Sequence, residues 1–322
     1  MRAFVAGGAG FIGSHTVARL LGGAGVDAVT VYDNFSSGKR DYLPQNEPRL
    51  HVIEADLASL DTLCRALEDH DVVFHYASNP DIARAASEPD IDFWQGTYLT
   101  QNIVEGMRRT GVAQIVYASG SGVYGDTGHT SLTEDHSPLL PISTYGASKL
   151  AGETLICSYC HMFGLQAWVF RFANVVGPRQ THGVVFDFIH RLKNDPATLS
   201  ILGNGTQSKS YIHIDDVLDG IWLARSVARE QYNYFNLSTD DHITVSEIAG
   251  IVTETMGLSG VRFSYSGGDR GWKGDVPIVR LETGKAKKLG WSARYSTHDA
   301  IRASARDIYA GTMPPGVPAC TD

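Results

Sequence analysis

The sequence predicts an α/β fold built on a doubly wound parallel sheet, with a smaller α/β lobe attached. Two observations support this prediction. A short apolar run at residues 3–6 is followed by a glycine cluster and then by apolar residues at helical spacing. Four further apolar runs, separated by helical or polar segments, follow before residue 120. Alternating strands and helices are typical of parallel sheets, so the first part of the chain is expected to form one.

The strands of this sheet are predicted at residues 3–6, 28–32, 51–53, 72–75 and 113–118. Residues 34–50 are polar and include two prolines, which favours a loop with one helical turn. Helices are predicted at 59–67 and 92–110, and the second has an apolar stripe that includes Leu99, Ile103 and Met107.

The pattern is less regular after a strand predicted at residues 167–172. Helices are predicted at 184–192, 215–227 and 245–256, a loop at 177–182, an extended segment at 206–213 and a strand from residue 261. A glycine-rich loop and terminal helices follow. The short strand predicted at 234–237 is expected to return to the first sheet, and the proline-containing last ten residues are expected to fray.

The glycine cluster of the first βα turn indicates a dinucleotide site. Gly7 permits the tight turn, Gly10 lets the backbone approach a pyrophosphate, and Gly13 lets the helix pack closely on the strand. The N–H groups of the first helical turn then face the phosphates. An ordinary glycine-rich turn has similar residues, so the prediction also depends on the acidic residue that follows.

Asp33 stands at the end of the second predicted strand, about 20 residues after Gly13, where a carboxylate accepts hydrogen bonds from the adenosine ribose. Its charge would repel a 2′-phosphate, so NAD is favoured over NADP, although Lys39 and Arg40 lie close enough to keep NADP open. Asp56, after the third strand, has two interpretations that are compatible: a contact to adenine, or the N-cap of the helix at 59–67.

Two domains follow from these patterns. Residues 1–175 are expected to form the dinucleotide-binding domain, completed by the return strand near 233–239. Residues 176–322 are expected to form the substrate-binding lobe.

Composition excludes several classes of function. The chain is 43% hydrophobic and 19% charged, as in soluble globular proteins, and its net charge of −8 argues against a nucleic-acid-binding surface. The sequence contains neither a signal-peptide pattern nor an apolar run of membrane-spanning length, so no membrane partner is expected.

Four cysteines, Cys64, Cys157, Cys160 and Cys320, are too few and too unevenly spaced for a disulfide framework, which favours a cytoplasmic location. Cys157 and Cys160 form a CxxC pattern without a second pair of ligands. Because they fall three residues apart in a predicted helix, packing is favoured over redox or zinc chemistry, and no metal is expected.

Tyr145 and Lys149 form the main candidate for catalysis. Residues four apart on a helix lie on one face, with Cβ atoms roughly 5 to 6 Å apart. A lysine ammonium, together with a positive nicotinamide, stabilises tyrosinate, which can take a proton from a sugar hydroxyl. A serine from the neighbouring strand end, Ser119 or Ser121, can hold the same oxygen. A tyrosine and a lysine on a protein surface can have the same spacing without any function, but here the pair follows a predicted dinucleotide-binding turn.

The sequence resembles the extended short-chain dehydrogenase/reductases, and among them the NAD-dependent sugar-nucleotide epimerases and dehydratases. The resemblance rests on GGAGFIG, Asp33, SGSGVYG and YGASK, and continues through RFANVVGPRQ, GNGTQSKSYIHIDD and RGWKGDVP. It implies a Rossmann fold, bound NAD, a UDP-sugar substrate and a homodimer.

By this resemblance Tyr145 is the catalytic base and Lys149 its partner. The usual catalytic serine or threonine stands three residues before the valine of the VYG motif, and that position here is Gly120. Ser119 and Ser121, which flank it, therefore both remain candidates. The residues expected to contact the cofactor are Gly7, Gly10, Phe11, Ile12, Gly13, Asp33, Asn34, Ser37, Gly38, Asp56, Leu57, Tyr76, Ala77, Ser78, Gln95, Tyr145 and Lys149.

By the same resemblance, the SGSGVYG loop indicates which reaction the protein catalyses. The related 4,6-dehydratases carry Asp and Glu just before VYG, and UDP-glucuronate decarboxylases typically keep the Glu, whereas this chain has Ser121 and Gly122. The resemblance therefore implies 4-epimerisation, as in UDP-glucose and UDP-glucuronate 4-epimerases. Two alternatives stay open: a reductase or dehydrogenase acting on a 4-keto nucleotide sugar, and a dinucleotide-sensing protein without turnover.

The resemblance also implies substrate contacts. Asn174 corresponds to a residue that binds the substrate diphosphate or sugar, and Arg179, Lys209 and Arg270 are candidates for the phosphate charge. Thr181 and His182 follow in the loop expected near sugar C6. There Arg179 would meet a uronate carboxylate as readily as a phosphate, so UDP-glucose and UDP-glucuronate both remain candidate substrates.

Overall fold

The computed structural model describes residues 1–312, so the predicted frayed end at 313–322, including Cys320, lies outside the described residues. The strands are β1 (Arg2–Ala6), β2 (Ala28–Asp33), β3 (Leu50–Glu54), β4 (Val72–His75), β5 (Gln114–Gly120), β6 (Gln166–Phe172), β7 (Asn174–Val176), β8 (Thr198–Ile201), β9 (Ser208–Lys209), β10 (Tyr211–His213), β11 (Tyr232–Leu237), β12 (Ile243–Thr244) and β13 (Arg262–Tyr265). The α-helices are α1 (Phe11–Gly22), α2 (Leu60–Leu67), α3 (Tyr98–Thr110), α4 (Thr144–Phe163), α5 (Val184–Asn194), α6 (Ile214–Val227), α7 (Val245–Thr255), α8 (Gly284–Lys288) and α9 (Thr297–Gly311).

A seven-stranded parallel sheet forms the centre of the molecule, in the order β11-β6-β5-β4-β1-β2-β3. Its central strands, such as β1 and β4, are apolar runs because both faces are covered, whereas the edge strand β3 is largely exposed. Residues of α1 and α6, such as Val17 and Ile221, pack on one face, and residues of α2, α3 and α4, such as Leu63 and Met107, pack on the other. This is the doubly wound α/β fold that the sequence predicts.

The strand order reverses between β1 and β4, and the carboxyl ends of these strands open onto a crevice where such folds bind ligands. β11 pairs with β6 in parallel register, with Phe235 opposite Phe170, so the chain comes back to this sheet after leaving it.

A second lobe packs around its own core, formed by α5, α7 and α9 with residues such as Val185, Ile248 and Ile301. Two-stranded pairings of β7 with β10, β8 with β13 and β9 with β12 supply its remaining structure. The extended segment predicted at 206–213 contains β9 and β10.

Two local predictions need correction. The helix predicted at 92–110 begins as a π-helical turn, Phe93–Thr97, before α3, and the apolar stripe that predicted the helix lies entirely within α3. The N-cap of α2 is Ser59 rather than Asp56, because α2 starts at Leu60 and Asp56 Oδ1 instead accepts a hydrogen bond from Ala58 N.

Cys160 is buried in the core and Cys64, Cys157 and Cys160 are free thiols, which agrees with the packing interpretation of Cys160. Among the helices described for residues 1–312, none combines the length and the apolarity that a bilayer crossing requires.

Candidate active site

The turn between β1 and α1 has the shape of a phosphate cradle. A Cβ atom at Gly13 would lie 2.1 Å from Gly7 O, and one at Gly7, where φ is +76°, would lie 2.7 Å from Ala77 N. Gly10 caps α1 without a side chain, and the first turn of α1 (Phe11–Gly22) contains no acidic residue. The N–H groups of this turn are therefore free to receive a pyrophosphate, so the residues present fit a dinucleotide.

Two backbone N–H groups fix the carboxylate of Asp33 beside this turn. Its Oδ2 accepts a hydrogen bond of 2.9 Å from Ala9 N and its Oδ1 accepts one of 2.9 Å from Phe35 N. A carboxylate has about four acceptor positions, so both oxygens can still accept ribose hydroxyl groups. A Cβ atom at Gly38 would lie 3.0 Å from Asp33 Oδ1, which indicates that Gly38 makes room for this carboxylate.

A cavity of about 800 Å³ extends from the glycine turn across the carboxyl ends of the sheet to the second lobe. It is lined by every predicted site residue except Gly38, Arg179 and Arg270. Such a volume lies within the usual range of small-molecule sites. The predicted cofactor and substrate residues thus border one continuous space.

Tyr145 and Lys149 border the middle of this cavity. Ser143 Oγ caps α4 by accepting a hydrogen bond from Gly146 N, and this places Tyr145 in the first turn of the helix. One turn later, Lys149 Nζ donates to Ala118 O at 2.9 Å and lies 5.4 Å from the centroid of the Tyr145 ring. The predicted pair therefore shares one face of α4, with the ammonium tied to the end of β5.

Burial is the largest cause of the pKa shifts of Tyr145 and Lys149. It raises the pKa of Tyr145 to about 12, although a contact with Ser78 opposes the shift. Burial also lowers the pKa of Lys149 to about 8. Without further positive charge, the phenol keeps its proton at neutral pH. A positive charge beside Tyr145 would lower this pKa and favour the phenolate.

The two candidate serines have different surroundings. Ser119 Oγ donates a hydrogen bond of 2.5 Å to Glu153 Oε1, and Glu153 forms a buried ion pair of 2.7 Å with Arg171. Ser121 borders the cavity at the start of a short 3₁₀ turn, Ser121–Tyr124. A Cβ atom at Gly120 would meet no atom within 4 Å, so the position of the usual hydroxyl is open space.

The second lobe contributes a charged region to the cavity wall. Lys209 Nζ forms a 2.6 Å ion pair with Asp275, and Arg191 Nη1 donates to Ser200 O at 2.6 Å. Arg191 and Asp187 also border the cavity but are not among the site residues predicted from the sequence. Their separation of four residues on a predicted helix was the available signal.

The structure places Arg179 and Arg270 away from the cavity wall. Arg179, at φ +65°, donates to Ser14 O at 3.3 Å, and its guanidinium lies 6.0 Å from the Tyr42 ring centroid. Arg270 forms an ion pair of 2.5 Å with Asp126 and also donates to the Asp275 carbonyl. In this conformation both guanidinium groups are occupied by protein partners.

Thr181 and His182 border the cavity, and Asp187 borders it as well. Burial lowers the pKa of His182, so its imidazole is neutral at neutral pH, and burial raises the pKa of Asp187. This part of the wall therefore offers no fixed positive charge from Thr181, His182 or Asp187.

Known proteins resemble this chain over most of its length. The model of the NAD dependent epimerase/dehydratase family matches residues 3–237. A UDP-glucose 4-epimerase of Mycolicibacterium smegmatis is 30% identical over 94% of this chain and 96% of its own length. A solved UDP-galactose 4-epimerase is 36% identical, with a TM-score of 0.86 over 97% of this chain and 100% of that chain. A dTDP-glucose 4,6-dehydratase double mutant from Streptomyces venezuelae, solved with NAD bound, is 30% identical, with a TM-score of 0.88 over 97% of this chain and 98% of that chain.

Proposed function

Since the chain belongs to the NAD-dependent epimerase/dehydratase family, we propose that it catalyses the 4-epimerisation of a UDP-sugar. The observation that carries this proposal is the position of Tyr145 and Lys149 on a cavity continuous with the glycine turn. One base beside a hydride acceptor suffices for epimerisation, because the proton and the hydride taken from the sugar are both returned to it.

The loop after β5 favours epimerisation over dehydration. In residues 1–312, the carboxylates that border the cavity are Asp33, Asp56, Asp187 and Asp275. None of these belongs to the SGSGVYG loop, where the related dehydratases carry Asp and Glu. Elimination of water from the sugar needs an acid and a base at neighbouring carbons, and this loop supplies neither.

Tyr145, Lys149 and Ser121 have separate roles in the proposed reaction. The glycine turn and Asp33 would hold NAD, which would supply the acceptor and donor of the hydride at sugar C4. Tyr145, as phenolate, accepts the proton of the 4-hydroxyl group and later gives it back. Lys149 adds positive charge beside the phenol and its hydrogen bond to Ala118 O fixes the ammonium. Ser121 hydrogen-bonds the same sugar oxygen.

UDP-glucose or UDP-galactose is the substrate that the cavity favours. Asn174, Lys209 and Arg191 border the cavity and are the candidates for the diphosphate and the sugar hydroxyls, with Lys209 also paired to Asp275 and Arg191 to Ser200 O. Arg179, the residue expected to meet a uronate carboxylate, is engaged with Ser14 outside the cavity. A neutral C6 group therefore suits the wall formed by Thr181, His182 and Asp187 better than a carboxylate.

The test is to incubate the purified protein separately with UDP-glucose, UDP-glucuronate and UDP-N-acetylglucosamine, and to resolve the epimers. We expect interconversion of UDP-glucose and UDP-galactose without added cofactor, and no turnover by Tyr145→Phe although NAD stays bound. Full activity of Tyr145→Phe would refute the assignment of the base. Failure to convert any of the three would refute the epimerase proposal.

A reductase or dehydrogenase acting on a 4-keto nucleotide sugar is the second candidate, because it would use the same Tyr145 and Lys149. Retention of the cofactor separates the two functions. An epimerase keeps NAD through purification, whereas a reductase must exchange it in each cycle. Turnover of either kind would exclude a purely dinucleotide-sensing role.

The surface of α3 and α4 supports a homodimer. Trp94 and Phe93 precede α3 and are 52% and 51% exposed, and Met162 and Phe163 at the end of α4 are 71% and 45% exposed. Large apolar side chains at both ends of a helix pair are suited to burial against a second copy. Light scattering coupled to size-exclusion chromatography should give twice the mass of the chain, and a monomer would refute this proposal.

Two further proposals concern the roles of the two domains and the cellular location. Residues 1–175 together with β11 hold the cofactor, and residues 176–322 hold the nucleotide sugar. The free thiols of Cys64, Cys157 and Cys160 suit a reducing cytoplasm. Cell fractionation tests the location.

A further inference from the structure

Asp92 is a buried carboxylate next to the catalytic pair. Its side chain lies at the start of the π-turn before α3, and the residue is 1% exposed. Oδ1 accepts a hydrogen bond of 2.9 Å from Asn79 Nδ2, and Oδ2 accepts one of 2.6 Å from Thr144 Oγ1. Asn79 follows β4, and Thr144 immediately precedes Tyr145. One carboxylate therefore links the end of β4 to the turn of α4 that carries the phenol.

The π-turn itself is pressed against α4. Thr97 Oγ1 donates to Ser148 Oγ at 3.2 Å, and a Cβ atom at Gly96 would lie 2.1 Å from that same oxygen. Such turns are frequent at functional sites because they shift side chains relative to a regular helix. Here the turn brings Asp92 within hydrogen-bonding distance of Thr144.

Asp92 forms no ion pair with any residue of the described range 1–312, and both of its hydrogen-bond donors are neutral. A buried charge is costly unless it serves a purpose or is compensated. After burial, the charge of Asp92 is the next cause that raises the pKa of Tyr145, and it also raises the pKa of Lys149. The carboxylate therefore acts on both members of the catalytic pair.

We propose that Asp92 is a positioning residue: it fixes the first turn of α4 through Thr144, and its charge keeps the proton on Tyr145 until an additional positive charge lies beside the phenol. This inference rests on the proposed function, because only a reaction that removes and returns one proton needs such control.

The charged groups around the Tyr145 phenol act on its pKa in opposite directions. Lys149 and Asp92 are groups of opposite charge, so the carboxylate opposes the effect of the ammonium on the phenol. A positively charged nicotinamide ring beside the phenol would then favour loss of its proton, and a neutral ring would favour retention. The proton taken from the sugar therefore stays on Tyr145 until the sugar takes it back.

Other titratable groups also face this pair and must be controlled for. They are Tyr117 and His75 from the sheet and Glu153 from α4. The near-ultraviolet absorbance of tyrosinate, taken as the difference from the matching Tyr145→Phe protein, isolates Tyr145 from them.

Asp92→Asn is the decisive variant, because an asparagine can accept from Asn79 and donate to Thr144 while carrying no charge. We expect the Tyr145 titration to move to lower pH by about one unit, both in cofactor-free and in NAD-bound protein. The acidic limb of the pH–rate profile should move in the same direction. An unchanged titration would overturn the proposal.

Thr144→Val is the matched control, because it removes the link to α4 and keeps the charge of Asp92. We expect kcat to fall while the Tyr145 titration stays near its wild-type position. A shift as large as that of Asp92→Asn, or an unchanged kcat, would contradict the proposal. If Asp92→Asn does not fold, the measurements on Thr144→Val still test the proposal. The titrations need no substrate, so their outcome is distinguishable from a failure of the epimerase assignment.

Discussion

Ser119 donates a 2.5 Å hydrogen bond to Glu153, and this bond connects the end of β5 to α4, the helix that carries Tyr145 and Lys149. Glu153 in turn pairs with Arg171, which also donates to Tyr124 Oη and Glu134 O. A buried, charged network therefore lies behind the loop that follows β5. It engages one of the two serines that the sequence offered for catalysis and leaves Ser121 on the cavity wall.

Replacing each serine by alanine should separate these roles. Ser121→Ala should lower kcat by about 10- to 100-fold, because the sugar oxygen loses a hydrogen bond in the transition state. Ser119→Ala should instead lower the free energy of unfolding by about 1–3 kcal/mol, because Glu153 loses a buried donor. Steady-state kinetics and urea unfolding of both variants provide the measurements. The reverse pattern would assign the catalytic hydroxyl to Ser119.

Asp33→Ala should weaken NAD binding more than UDP-sugar binding, by about tenfold or more, because the ribose loses acceptors that carry charge. Isothermal titration of both ligands measures the two effects, and circular dichroism checks that the loss of the bonds from Ala9 N and Phe35 N leaves the protein folded. Equal weakening of both ligands would count against the ribose role.

Gly13→Ala should disrupt the first βα turn, since its Cβ would lie 2.1 Å from Gly7 O. Overpacking of this kind typically costs about 1–3 kcal/mol, and dinucleotide binding should be lost as the turn opens. Gly22→Ala, at the other end of α1, is the control, because its Cβ meets no atom within 4 Å. That change should leave NAD binding unaltered, and a similar loss in both variants would point to a general effect on α1.

The buried ammonium of Lys149 should make stability depend on pH. Its pKa is about 8 in the folded protein, below the ordinary value of 10.5, so between these values the unfolded chain binds more protons. The free energy of unfolding of the wild type should therefore rise with pH across this window relative to Lys149→Met, by at most about 3 kcal/mol. Urea unfolding of both proteins at about pH 8 and about pH 10 measures the difference. A difference that stays constant would contradict the lowered pKa.

Much of the fold was predictable because it depends on local patterns. The apolar run at 72–75 matches β4 residue for residue, and the glycine spacing identified the β1–α1 turn. The predicted membership of the epimerase/dehydratase family and the predicted use of NAD are confirmed. The UDP-sugar and the 4-epimerisation stay proposals.

Other features depend on contacts between distant parts of the chain. The partner of Arg179 is Ser14, 165 residues away, and the partner of Ser119 is Glu153, 34 residues away, so no local pattern reveals either. The partner of Asp92 is Thr144, 52 residues away, and the apolar stripe within α3 gave no signal of the π-turn at Phe93–Thr97 that precedes it. Side-chain placement at the site, rather than the order of elements, is what the sequence left undetermined.

The return of β11 to the sheet limits how this molecule can be divided. A fragment that stops near residue 175 would lack the neighbour of β6 and would expose the backbone N–H and C=O groups of Gln166–Phe172 along an open edge. Such an edge invites aggregation. Truncation is therefore an unsuitable way to isolate the cofactor-binding part, and a circular permutant that keeps β11 beside β6 is the better choice.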